Sequence, residues 1–143
     1  MSFVFQLHAI WRWGILIFAG LVALKALIGW LGKQRYTALD DRLGMVLTIL
    51  LDIQVLLGLL LWFFGANPFN IRSLPQSMSN PALRFILLEH GIVYLIALVF
   101  AHIGRARTKK PGDAVAKHRS AFIFFFLSFL FILLIFIMRG MLG

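Results

Sequence analysis

The sequence has no cysteine. That absence excludes disulfides, thiolate zinc sites, iron–sulfur clusters and thioether-attached haem together. Charge is nearly as scarce: Asp, Glu, Lys and Arg make up 13% of the 143 residues, against about 25% in a soluble domain. Only five residues are acidic. Hydrocarbon fills the chain instead, with 62% hydrophobic residues and a mean hydropathy of +0.95. A chain of this length cannot enclose so much apolar surface in a water-soluble fold. A soluble enzyme is excluded, and 143 residues leave no room for a separate catalytic module.

Four apolar runs, at about 3–31, 43–64, 82–103 and 120–138, reach the roughly 20 residues needed to cross about 30 Å of hydrocarbon. Lipid offers no partner to a bare peptide group, so each run is expected to be helical. The expectation is an all-α, integral membrane four-helix bundle of up-down topology, forming one domain over residues 1–143. The first run has no basic segment ahead of it and no small-residue cleavage site, so it reads as a retained helix rather than a signal peptide.

The loops set the expected direction. Segments 32–42 and 104–119 hold Lys33, Arg35, Arg42, Arg105, Arg107, Lys109, Lys110, Lys117 and Arg119. The other side holds Arg12, Arg72, Arg84 and Arg139. Nine against four puts the two basic loops in the cytoplasm and both termini on the outer, periplasmic side of a bacterial inner membrane. The net charge of +9 is then a topology and headgroup signal, with no nucleic-acid partner implied. Trp11, Trp13, Trp30 and Trp62 fall near span ends, as interfacial aromatics do. Residues 65–81 form the longest outer connection.

Polar residues kept inside a bilayer are the best functional clues in such a chain, because each costs free energy. His8 and Arg12 stand one turn apart on one face of helix 1. Arg84, Glu89 and His90 occupy the outer half of helix 3, with His90 roughly 12 Å below the boundary at 1.5 Å per residue. Arg139 closes helix 4 on the same side. Two imidazoles and three guanidinium groups thus collect at one end. Haem b suits that set: its iron takes a neutral imidazole on either face, and its two propionates pair with arginine. His8 and His90 would be the axial ligands, Arg12, Arg84 or Arg139 the propionate partners, and Glu89 would orient a ligating ring. Gly14, Gly20 and Gly91 would leave space for the macrocycle. Two other readings stand beside this one: plain polar pairing between helices, and a single-histidine pigment or metal site.

His102 and His118 lie at the other end. His90 and His102 are about 18 Å apart along the axis, too far to share one iron, so a second haem would need His102 with His118. His118 sits in Lys117-His118-Arg119, where cations disfavour another positive centre. It reads as a solvated loop histidine, and one haem is preferred to two. Asp52, near the middle of helix 2, reads either as a proton relay or a contact to a quinone or pigment, or as an interhelical hydrogen bond. Lys25 reads as a snorkelling residue. The phenylalanines between Phe122 and Phe136 read as a lipid- or partner-facing surface.

Taken in order, Leu7-His8-Ala9-Ile10-Trp11-Arg12-Trp13, Gly29-Trp30-Leu31-Gly32-Lys33, Ile53-Gln54-Val55-Leu56-Leu57-Gly58, Arg84-Phe85, Glu89-His90 and Lys117-His118 resemble the small four-helix bacterial membrane proteins of the cytochrome-b-like type. The resemblance implies a b-type haem and redox traffic with quinones. One departure is Asp52, where the pattern leads one to expect a histidine. If that histidine is a ligand in the relatives, the site here is altered; a His8–His90 site survives. The leading expectation is therefore a membrane electron carrier, rather than a stand-alone enzyme, that exchanges electrons with quinol or a neighbouring redox subunit. The competing expectation is a non-catalytic subunit of a larger respiratory or photosynthetic assembly, holding lipid or a chlorophyll-type pigment.

Overall fold

A computed structural model describes residues 2–142. Four long helices account for most of it: α1 (Ser2–Leu31), α2 (Ala38–Phe64), α3 (Pro81–Lys109) and α4 (Ala114–Leu142). All four are long and apolar enough to cross a membrane, and the protein is a helical bundle of the multi-pass membrane type.

The helices outrun the apolar segments because their ends are capped. At the start of α2 the Thr37 hydroxyl accepts from the Asp40 amide, and the Asp40 carboxylate accepts from the Thr37 amide at 2.9 Å. This reciprocal box satisfies two amides that helix geometry leaves without partners, so α2 begins at Ala38, five residues before its apolar run. In α3, Asn80 caps the amides of Ala82 and Leu83, and Pro81 takes the first helical position, where its missing N–H costs nothing. The helix then runs on to Lys109, with Arg107 and Lys109 in the last turn opposing the negative end of its dipole.

Around the bundle, α1 packs on α2 and α4, and α3 packs on the same two. Helices α1 and α3 therefore face each other across the diagonal. Short connections make successive helices antiparallel, so both chain ends lie at one end of the bundle and both basic loops at the other. These are called here the terminal end and the basic-loop end.

Small residues let the helices close. Ala19, Ala97 and Ala101 are fully buried, beside Ile15, Leu47, Leu51 and Ile132. The phenylalanines of α4 are part of this interior, which corrects the expectation that they face lipid or a partner. Phe125 is 1% exposed, and Phe122, Phe129, Phe131 and Phe136 pack against the core. The outward positions of α4 belong to Ile123, Leu130, Leu134 and Ile137. The reason is glycine on the facing helices. A β-carbon at Gly44 would stand 3.0 Å from the Phe125 ring, one at Gly104 2.9 Å from the Phe124 β-carbon, and one at Gly20 3.3 Å from the Phe129 ring. Large rings fill the hollows that these glycines leave.

The connection between α2 and α3 satisfies its own polar groups. Asn70, almost fully buried, donates from Nδ2 to the Gly65 carbonyl at 3.0 Å and to Asn67 Oδ1 at 2.6 Å. The Ser73 hydroxyl donates to the same Asn67 oxygen at 2.9 Å. Two short helical turns, Ile71–Ser73 and Leu74–Ser77, complete it.

Candidate functional site

The terminal half of the bundle brings His8 and His90 together across the diagonal. Their ring centres are 6.1 Å apart, with the planes nearly perpendicular at 84°. Each ring is held by features of its own helix. Ahead of His90, α3 widens into one π-helical turn over Phe85–Glu89. Such a turn inserts an extra residue and rotates everything after it, and it recurs at functional sites. Trp62 of α2 donates to the Leu87 carbonyl inside that turn at 2.9 Å. The His90 ring then lies between Phe85, at 6.2 Å, and Tyr94, at 6.4 Å.

On α1, two hydrogen bonds to α2 bracket His8. Gln54 donates from Nε2 to the His8 carbonyl at 3.0 Å, and Trp11 donates from Nε1 to the Leu50 carbonyl at 3.1 Å. Trp11 and Trp62 thus serve as interhelical ties rather than purely as interfacial anchors. Opposite the His8 ring lies Gly58, whose added β-carbon would be 3.4 Å from Cε1.

Polar atoms in this region lack partners. Six buried side-chain nitrogens and oxygens among the described residues make no hydrogen bond, and four are here: His8 Nδ1, Arg12 Nε, Gln54 Oε1 and the Tyr94 hydroxyl. Native proteins keep such atoms rare, and a cluster calls for a water, an ion or a ligand. The Arg12 guanidinium carbon lies 5.7 Å from the Trp13 ring centre and 5.5 Å from that of Phe136. Arg139 stands within electrostatic reach of His8, Arg12 and His90. Among the described residues, neither Arg12 nor Arg139 is paired with a carboxylate.

Arg84 and Glu89 are placed differently from Arg12 and Arg139. They pair with each other, Nε to Oε1 at 2.7 Å and both about one-third exposed, so each occupies the charge that the other was expected to offer a ligand. The glycines also differ from expectation. Gly14 and Gly91 are exposed with open space beyond them, and Gly20 meets Phe129. At this end of the bundle Gly58 is the glycine beside His8. In the sequence Gln54 and Gly58 stand out only as parts of one motif, and Tyr94 and the π turn do not stand out at all. Tyr94 carries a usable signal, since it stands four residues after His90 and so on the same helical face.

His118 corrects a second expectation. It is no solvated loop residue: α4 begins at Ala114, and the ring is 1% exposed. Its Nε2 lies 3.1 Å from the Arg35 carbonyl, Tyr36 packs edge-on at 5.1 Å, and Nδ1 has no partner. Four residues of helix before it were enough to turn it inward. A cavity of about 10 Å³, room for roughly one water, lies beside it and Tyr36, Lys25 and Asp40. Lys25, expected to snorkel, pairs with Asp40, and Arg105 pairs with Asp41. These two ion pairs tie α1 to α2 and α3 to α2 at the basic-loop end.

The fourth histidine has a partner too. His102 Nε2 lies 2.8 Å from Asp52 Oδ1, joining α3 to α2. Among the described residues no group of three or more His, Cys, Asp and Glu side chains converges to hold a metal ion. Compared with protein-family models, curated proteins and solved structures, the chain matches none.

Proposed function

We propose that this is a bacterial inner-membrane electron-transfer protein that holds one haem b between His8 and His90, near the outer face. The observation that carries the reading is the meeting of these two imidazoles across the diagonal at 6.1 Å. That is about the separation of two rings bound to a common metal through bonds of ~2 Å. Two imidazoles are too few for a bare ion, whereas a porphyrin brings four nitrogens of its own. The residues present fit that group: among the described residues, a buried His8 Nδ1 without a partner and two arginines free of carboxylates for the propionates, with Gly58 leaving space beside the His8 ring.

His8 and His90 would ligate the iron, and Arg12 and Arg139 would neutralise the propionates. Bound haem supplies a reversible one-electron couple. The protein's own part is to fix both rings from rigid helices, clamp α1 through Gln54 and Trp11, and surround the site with low-dielectric side chains. Those effects set a potential rather than perform bond chemistry, so the role is that of a carrier exchanging electrons with quinol or an adjoining redox subunit. The loop charges support the outward placement of this end.

Reduced-minus-oxidised spectra with haem quantitation per polypeptide test the proposal. One haem per chain with a low-spin b-type spectrum is expected. His8→Ala and His90→Ala are each expected to abolish that spectrum, and His118→Ala to leave it intact. Colourless protein purified from a haem-replete host would reduce the chain to a structural subunit, and long-wavelength absorption would point to a chlorophyll-type pigment.

A further inference from the structure

The Asp52–His102 pair lies where a membrane protein can least afford it. Asp52 is 12 residues from the end of α2 at Phe64 and 14 from its start at Ala38, or about 18 and 21 Å along the axis, so it sits near mid-span. His102 stands seven residues before the end of α3 at Lys109, about 10 Å in from the basic-loop end of that helix. Yet the pair is not interior to the bundle. The two side chains are 46% and 49% exposed, on an outward face formed by α2 and α3. Around them the surface is aliphatic: Ile49, Leu56, Val99 and Ile103 are all exposed. Among the described residues, Asp52 and His102 have no hydrogen-bond partner but each other, which leaves one carboxylate oxygen and one ring nitrogen open toward the acyl-chain region.

We infer that Asp52 and His102 form a binding site, open to the lipid phase, for the head of a quinone or quinol. Acyl chains cannot satisfy the open nitrogen and oxygen, so the occupant must bring polar atoms to this depth. A charged head would stay at the interface, which excludes a fatty acid or phospholipid headgroup. A quinone head is neutral and carries hydrogen-bonding oxygens on a ring, and its apolar body partitions into the hydrocarbon that Ile49, Leu56 and Val99 face. The imidazole accepts from or donates to the ring oxygen according to tautomer, while Asp52 orients it, as a carboxylate does for histidine elsewhere. The same site therefore accepts both redox forms of the ligand. The use of that ligand as an electron donor or acceptor rests on the function proposed above; its binding does not.

The test measures decylubiquinone retained by phosphatidylcholine nanodiscs carrying the protein, above that retained by empty discs. Saturable binding of about one probe per chain is expected. Asp52→Asn and His102→Gln are each expected to weaken it at least tenfold. Because either change could unsettle the α2–α3 contact, Val99→Trp, which fills the surface one turn from His102 and keeps the pair, serves as the second variant and is expected to weaken binding equally. The His8→Ala/His90→Ala protein is expected to bind the probe as the parent does, so that loss of haem and loss of this site are read separately. No saturable binding by the parent, or binding unchanged in all three site variants, overturns the inference. So does a homodimer that Asp52→Asn dissociates without any probe binding, because the pair would then be covered by a second copy of the chain.

Discussion

Gly29 of α1 lies flat against the His118 imidazole of α4: a β-carbon added to the glycine would stand 2.5 Å from both Nδ1 and Cε1 of the ring. The ring has little room to yield, because His118 is buried and its Nε2 is held at the Arg35 carbonyl. Gly29→Ala gains about 1 kcal/mol of helix propensity. It is nevertheless expected to destabilise the protein by a net ~1–3 kcal/mol through overpacking. Thermal unfolding in detergent reads the change; a Tm at or above that of the parent means the ring has somewhere to go.

Gly58 poses the opposite case. Its added β-carbon would meet His8 Cε1 at 3.4 Å, an ordinary contact. Gly58→Ala is expected to be tolerated, with haem per polypeptide unchanged. Gly58→Leu drives a branched side chain into the His8 ring and is expected to at least halve the haem retained. Equal haem content in the two variants would separate the His8 ring from any ligand role.

The arginines at the terminal end divide by whether they have a partner. Arg84 and Glu89 form a partly exposed pair, worth about 0–1 kcal/mol. Glu89→Gln is accordingly expected to change stability little and leave the spectrum alone. Among the described residues Arg12 has no carboxylate to neutralise it, so Arg12→Gln removes a net positive charge beside the site. Loss of positive charge favours the oxidised form, and the midpoint potential is expected to fall by on the order of tens of millivolts. Redox titration of the two variants side by side checks this; a larger shift for Glu89→Gln than for Arg12→Gln would reverse the assignment.

Tyr36 gives a pH dependence outside the spanning helices. Burial against His118 and its surroundings disfavours the phenolate and raises the Tyr36 pKa above its ordinary value, near 10. The folded protein then holds the phenolic proton more tightly than the unfolded chain. This contribution is fully present below the unfolded pKa and is lost as the pH rises from there through the folded value. Unfolding midpoints are expected to decline above about pH 10, and less steeply in Tyr36→Phe. Identical declines in the two proteins would assign the effect to the lysines.

Much of the architecture is written in the apolar pattern of the sequence. Four apolar runs separated by polar loops admit only four helices in lipid, since an unpaired peptide group there has no alternative. The clustering of His8, Arg12, His90 and Arg139 at one end followed from helical rise alone, because distance along an axis is a matter of counting residues. What counting cannot supply is rotation about the axis. The sequence therefore misplaced His118 and the phenylalanines of α4, whose outward or inward direction depends on where Gly20, Gly29, Gly44 and Gly104 of neighbouring helices leave room.

Hydrophobic length, which is written in the residues alone, sets the solvent, the number of spans and the order of the polar residues along each helix. Which polar residues of different helices meet came from packing alone: His8 with His90, and His102 with Asp52. Those pairings follow from the diagonal placement of α1 and α3 and from the π turn ahead of His90. Both are outcomes of side-chain packing between helices, which no single helix encodes alone.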